Sequence, residues 1–376
     1  MMNKKPVLLF ITSFLVTLFV SAQSSSDDNA QFSIYGFGRT NFVWDNRDLG
    51  RSDLFMPANI KINSPKEPAF FIVARQTRLG FNVKTPVGNE QLSIKLEGDF
   101  HNDATDANGF FRMRHALASY KFVLVGMTWS NFYSDEVNPT TVDFEGPNSS
   151  TISRAPQIRF STYKSKNELS LSFENPLEKI TGGDSISVLP ERFPDIIGAY
   201  RVNGKFGFVK AAALLRELRY QSNKARSIVG YGVTVMAVIH AGKKDKLMFQ
   251  AVTGTGVAQY IKGVSGLNYD AIYNGTNELE ALQIWGTNIS FQHFWKDHLY
   301  STLTTGLINV EDNTNLKAGN FQSGYYGALN IFWEPIKNFN FGWEVVAGER
   351  VNINGDKGSA VRLQMNATYR FSKLMK

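Results

Sequence analysis

Phe110-Phe111-Arg112-Met113-Arg114-His115-Ala116-Leu117-Ala118-Ser119-Tyr120 is followed by Leu124-Val125-Gly126-Met127-Thr128-Trp129-Ser130-Asn131-Phe132. Successive side chains of a strand point to opposite faces. That rule sorts Phe111, Met113, His115 and Leu117 onto one face and Arg112, Arg114, Ala116 and Ala118 onto the other. One face is apolar and one is basic, so the apolar face must be covered by a second protein layer or by lipid. A polar excursion, 133–153, contains Asp143-Phe144-Glu145-Gly146-Pro147-Asn148-Ser149-Ser150, and the chain returns at Arg154-Ala155-Pro156-Gln157-Ile158-Arg159-Phe160.

The same texture runs from Phe32 to the end of the chain. Alternating segments rich in Phe, Tyr, Trp, Val and Leu are separated by Gly, Pro, Asn and Asp clusters. Strands are predicted near 32–44, 69–84, 91–101, 110–119, 122–132, 154–163, 168–174, 195–202, 206–219, 226–240, 246–255, 279–295, 299–309, 320–333, 339–351 and 359–371. Short turns such as 86–89, 203–205, 242–245 and 335–337 alternate with mostly longer connectors, notably 45–68, 133–153, 175–194 and 256–278. An even number of strands, about sixteen, with short periplasmic turns and long extracellular loops describes an all-β, transmembrane, antiparallel up-and-down β-barrel. In the last strand Val361, Leu363, Met365, Ala367, Tyr369 and Phe371 oppose Arg362, Gln364, Asn366, Thr368 and Arg370. So wide a barrel cannot fill its lumen with side chains, which predicts an oily outer wall and a wet, ionic bore. Tyr369 and Phe371 suit an interfacial girdle, and Trp129, Trp285, Trp295, Trp333 and Trp343 are either girdle residues or ordinary lipid-facing and loop-packing tryptophans.

The N-terminus places Lys4-Lys5 before an apolar run from Val7 to Val20 and the small-residue site Val20-Ser21-Ala22. This is the pattern of a secretory signal peptide, residues 1–22, with a flexible periplasmic lead over 23–31 and the barrel over 32–376. The predicted location is the bacterial outer membrane, in contact with outer-membrane lipid and lipopolysaccharide. There is no cysteine, and the formal charge of +7 falls to +5 when Lys4 and Lys5 are removed. Basicity spread without a cluster does not point to nucleic acid. His101, His115, His240, His293 and His298 are scattered, with neither zinc spacing nor a nucleophile elbow, so no metal, cofactor or catalytic residue is assigned. His101 beside Asn102 and Asp103 is the one hint of a lipid hydrolase at the barrel rim.

Five motifs in order, Arg75-Gln76-Thr77-Arg78-Leu79-Gly80-Phe81, Leu96-Glu97-Gly98-Asp99-Phe100, Phe111-Arg112-Met113-Arg114-His115-Ala116, Val125-Gly126-Met127-Thr128-Trp129-Ser130 and Val142-Asp143-Phe144-Glu145-Gly146-Pro147-Asn148, resemble the DcaP-like family of outer-membrane porins. The resemblance implies a homotrimeric sixteen-stranded channel with inward-folded loops, passing small anionic organic solutes such as dicarboxylates. The long helical N-terminal extension of some relatives has no counterpart ahead of Phe32, so a trimer here rests on the barrel wall.

Inward parity gives Arg78, Lys84, Lys95, Arg112, Arg114, Arg159, Arg362 and Arg370 against Glu97, Asp99 and Glu344. Rings of Arg and Lys make anion-selective pores. Arg78, Arg112, Arg114 and Arg159 would form one ladder, unless Glu97, Asp99 or an inward loop neutralise them. Loop 133–153 carries Asp135, Glu136, Asp143 and Glu145. Folded inward, it would set these acids opposite the arginines across a constriction; folded outward, they would be solvated. The alternatives to an anion-preferring porin are a general, non-selective porin, a rim enzyme and a barrel with a blocked lumen.

Overall fold

A strand exposed to hydrocarbon must satisfy every backbone N–H and C=O by pairing, because no water is there to do it. The computed structural model, which describes residues 30–47, 49–101, 110–177, 180–181, 186–275 and 278–375, meets this demand with a closed sheet. The expected signal peptide and residues 23–29 of the lead lie outside the described residues. The strands are β1 (Gln31–Asp45), β2 in two segments (Ala69–Val73 and Arg78–Val87), β3 (Glu90–Asp99), β4 (Arg112–Tyr120), β5 (Val123–Trp129), β6 (Arg154–Lys164), β7 (Asn167–Glu174) and β8 (Asp195–Gly204). They continue as β9 (Gly207–Gln221), β10 (Ala225–His240), β11 (Lys246–Thr255), β12 (Gln283–Lys296), β13 (Leu299–Val310), β14 (Phe321–Ile336), β15 (Phe339–Asn352) and β16 (Lys357–Met375). Each pairs antiparallel with the next, and β16 closes on β1 from Phe32↔Met375 to Asp45↔Arg362. The sixteen-stranded barrel read from the alternation is the observed fold. Boundaries differ from the predicted ones at several ends: 122–132 is Val123–Trp129, 320–333 is Phe321–Ile336, 359–371 is Lys357–Met375, the strand expected over 69–84 is broken between Val73 and Arg78, and Leu279–Ala281 is a separate short strand in a loop, so that β12 begins at Gln283.

Leu96, Met113, Val125, Ile158, Leu215, Val233, Leu303, Leu329 and Leu363 are exposed on the outer wall, while their strand neighbours Glu97, Arg114, Gln364 and Asn366 are buried inside. The alternation slips in β4. Glu97 pairs with His115 and Gly98 with Met113, so Arg114 is an extra residue, a β-bulge. From that point the faces exchange. His115 is buried and its ring lies 2.9 Å from the Thr128 hydroxyl, Leu117 pairs with Lys95 on the inner face, and Ala116 pairs with lipid-facing Leu96. His115 and Leu117 therefore face the lumen and Ala116 and Ala118 face outward, the reverse of strict alternation.

The interior is not uniformly wet. Phe132, Val257, Tyr260, Ile261 and Val264 from the loops pack against Ile197, Leu214, Val252, Ile284 and Ile308, which point inward from β8, β9, β11, β12 and β13. This apolar plug fills one side of the lumen, and the ionic residues that point inward there, Arg216 with Asp195 and Asp270, are buried beside it rather than wet. Loops, rather than wall side chains, make a bore this wide small.

Arg362 belongs to the seam instead of the bore. Fully buried, it donates to both carboxylate oxygens of Asp45 at 2.7 and 2.9 Å and to the carbonyl of Ser52 at 2.7 Å, joining β16 to β1 and to the following loop. Losing one member of a buried ion pair strands the other, at a cost of about 3–5 kcal/mol. Arg362→Ala is expected to lower the thermal unfolding temperature in detergent strongly, whereas replacing Arg362 and Asp45 together by leucines should restore most of the loss.

Candidate functional site

Loop 130–153 leaves β5 and crosses the interior. Lys210 of β9 donates to the Tyr133 carbonyl at 2.8 Å, and Glu136 takes both guanidinium nitrogens of Arg201 on β8. Further along, Ser149 donates to Thr287 O on β12 at 2.7 Å and Asn148 to Gly324 O on β14 at 2.9 Å. The far anchor is Glu344 of β15. Its carboxylate accepts from the amides of Val142 (3.0 Å) and Asp143 (2.7 Å) and from Asn330 and Gln364 (2.7 and 2.8 Å). The inward-pointing carboxylate predicted at 344 thus holds a loop rather than meeting a solute.

Asp143 is buried in the same latch and accepts from Phe55 N, Gly146 N and the Tyr326 hydroxyl. It therefore does not confront the arginines as an exposed acid. Nor does Glu136, whose carboxyl the Arg201 hydrogen bonds hold below its ordinary range. Asp135 and Glu145 are the loop acids that line the remaining space.

That space is a cavity of about 720 Å³ on the side of β2–β6, bounded above by loops 46–68 and 256–270. Arg75, Arg78, Arg112, Arg114, Arg154 and Lys262 line it, with Trp129, Tyr133 and Phe144 between them. Arg78 also lines a second cavity of about 530 Å³ toward the turn at Lys337 and Asn338, and so stands where the two meet. The break in β2 between Val73 and Arg78 turns Arg75 and Gln76 inward onto Asp53, at 2.8 and 3.0 Å. His101 is buried, 3.1 Å from the same Asp53 and 4.6 Å from the Phe144 ring. Burial alone would raise the Asp53 carboxyl; His101, Gln76 and Arg75 together hold it well below the usual range.

Most of the cations are paired. Arg112 makes two bonds of 3.0 Å to Asp99, and Arg114 reaches Glu97 at 3.0 Å and Asp99 at 2.7 Å. Arg78 and Lys95 lie 3.4 and 3.3 Å from Glu97. Gly80 lets this network close: an added Cβ would sit 2.2 Å from the Tyr35 ring, whose hydroxyl donates to Glu97 at 2.8 Å. Six cations line the cavity against Asp135 and Glu145, and Asp53, Glu97, Asp99 and Lys95 stand directly behind them, so cations outnumber carboxylates there among the described residues. Part of the excess sits on Arg154. It forms no ion pair among the described residues, its Nη1 is buried without a partner, and its guanidinium lies 4.7 Å over the Trp129 ring.

Alternation misplaced this residue. Ala155 and Gln157, buried on the inner face, put Arg154 outward by parity, yet as the first residue of β6 beside the loop it turns in. Arg159, expected in the ladder, instead holds the Trp129 carbonyl and Gln157. Trp129 consequently faces the lumen and is no girdle residue. Nothing short of the loop's path distinguishes Arg154 from Arg159 in sequence.

Burial pushes the Asp143 carboxyl up to about 7, opposed by Arg362 and reinforced by Glu344. The docked loop binds this proton more tightly than a released one, so docking is strongest in acid and weakens as pH rises through about 7. Closing and flickering events of single channels should therefore become more frequent from about pH 5 to about pH 8, and Asp143→Asn should remove that dependence.

The family described as DcaP outer membrane protein matches residues 20–371. No curated protein matches the sequence. Among solved structures, the outer membrane channel DcaP of Acinetobacter baumannii is similar at 25% identity and a TM-score of 0.80, over 92% of this chain and 99% of that one. An anion-selective porin from Comamonas acidovorans shares the fold at 12% identity and a TM-score of 0.61, over 91% of this chain and 100% of that one. OmpT of Vibrio cholerae does so at 11% identity and a TM-score of 0.58, over 92% and 99%.

Proposed function

The chain belongs to the DcaP outer membrane protein family and is an outer-membrane porin, and from that premise we propose that it passes small organic anions, dicarboxylates among them, in preference to cations. The observation that carries this reading is Arg154, a cation in the cavity wall that forms no ion pair among the described residues. Arg112 and Arg114, on which alternation alone would place the selectivity, spend most of their charge on Asp99 and Glu97. Their role is to occupy Asp99 and Glu97, which leaves the guanidinium of Arg154 to offer its charge to a solute carboxylate. Transport is passive, and no covalent step is involved. The pairing of Arg112 and Arg114 favours a second reading, a general porin without charge preference.

Export through a signal peptide at residues 1–22 and contact with outer-membrane lipid and lipopolysaccharide complete the proposal. Self-association through the wall has its own support. β4, β5 and β7 have only 9, 7 and 8 residues, against 16 in β14 and 19 in β16. Seven residues rising about 3.3 Å each at a tilt of about 45° reach roughly 16 Å, short of an apolar band about 25 Å tall. A sector this low is covered by another copy of the chain, in a homotrimer. Arginines at outward-facing Ala116 and Ala118 should convert the assembly to monomers by light scattering in detergent, while the same change at Leu329 should not.

Selectivity is tested by reversal potential across a salt gradient in planar bilayers. Arg154→Gln should lower the anion-to-cation permeability ratio more than Arg112→Gln does. A wild-type channel with no anion preference, or one unchanged by Arg154→Gln, would falsify the assignment in favour of the general porin. Liposome swelling with mono- and dicarboxylates, sugars and amines then ranks the solutes.

A further inference from the structure

Trp129 ends β5 after Val123, Val125 and Met127, and alternation would send it into lipid with them. Instead its carbonyl accepts from two inward side chains, Gln157 at 3.1 Å and Arg159 at 2.5 Å, and its indole lines the cavity. Four side chains converge on that ring. Arg154 lies over it at 4.7 Å and Arg114 at 5.6 Å, while Tyr133 and His115 meet it at 4.8 and 5.6 Å. Trp129 and Arg154 are also directly paired across β5 and β6, so the ring and the guanidinium lie side by side on one face.

From this geometry we infer that Trp129 is the residue that determines charge specificity, by holding Arg154 away from the carboxylates that would neutralise it. The inference rests on the anion-preferring reading of the same cavity. A half-buried guanidinium needs some compensation for lost water, and the candidates are few. Asp99 is already committed to Arg112 and Arg114, Glu97 to Arg114, Arg78 and Lys95, and Asp135 accepts the Tyr133 hydroxyl. The indole face attracts the cation through its ring electrons and offers no charge to cancel it. Held over the ring, Arg154 buries Nη1 without a partner while its guanidinium still lines the cavity, so a solute carboxylate entering there meets a cation whose charge no ion pair among the described residues takes up. An ion pair in the same place would have satisfied Arg154 and erased its effect on permeation. The aromatic residue is thus a positioning residue, and it works because it is uncharged.

Full-length porin carrying Trp129→Leu, Trp129→Phe or Arg154→Gln is compared with the wild type in planar bilayers, with reversal potential in potassium chloride and current block by malonate as readouts. Trp129→Leu should lose anion preference as fully as Arg154→Gln and weaken malonate block about fivefold, and Trp129→Phe, which keeps a ring face, should recover much of both. Quenching of tryptophan fluorescence by malonate should be present in the wild type and absent in Arg154→Gln and Trp129→Phe. If Trp129→Leu keeps the wild-type ratio while Arg154→Gln loses it, the inference about Trp129 is wrong and the anion-preferring reading stands. If neither changes the ratio, that reading is what fails. Unaltered thermal unfolding of Trp129→Leu excludes misfolding as the cause of its loss; if it unfolds early, equal loss in Trp129→Phe overturns the inference.

Discussion

Hydrocarbon offers no partner for a peptide group, and the whole architecture follows from the need to leave none unpaired. The seam between β1 and β16 meets that need, running from Phe32↔Met375 to Asp45↔Arg362 and ending on a buried Arg362–Asp45 pair. Closing sixteen strands has a geometric consequence, because the circumference is then too great for wall side chains to touch across the middle. Something else must occupy the space, and what occupies it sets what can pass.

Two different kinds of interaction divide the interior. Against β8, β9 and β11–β13, apolar residues of the wall meet Phe132, Tyr260 and Ile261 of the loops, and water leaves for the reason that it leaves any protein core. Across the bore, loop 130–153 is held by directed polar contacts, chiefly the Glu344 carboxylate on two successive amides. Apolar packing confines the loop without orienting it; the carboxylate fixes its position. The cavity that remains lies against β2–β6, where the wall is basic.

Local departures from regular strand geometry then shape that cavity. The bulge at Arg114 brings Arg112, Arg114 and His115 to the same side, which strict alternation forbids, and the break in β2 turns Arg75 and Gln76 toward Asp53. Such irregularities are tolerated because neighbouring strands keep the ladder intact around them. Their electrostatic outcome is a wall where most charges cancel in pairs. Arg154, resting on an aromatic face, forms no ion pair among the described residues, so the field at the cavity depends in part on that side chain's choice of neighbour.

The strand count, the antiparallel barrel, the oily exterior of β16 and the alternation of short turns with long loops were all legible in the sequence, because each depends on periodicity or local turn chemistry alone. The basic character of β2–β6 was legible for the same reason. The tertiary structure alone decided that Arg362 seals the barrel, that Asp143 is locked in a buried latch, that Arg159 supports Trp129, and that Arg154 rests on an aromatic ring without an ion pair among the described residues. A period of two says which face a residue takes only while the register is unbroken, and it says nothing of which partner waits there. Partners at 154 and 129, or at 143 and 344, are brought together by a loop crossing the barrel, and the distance that crossing spans in sequence carries no local signal.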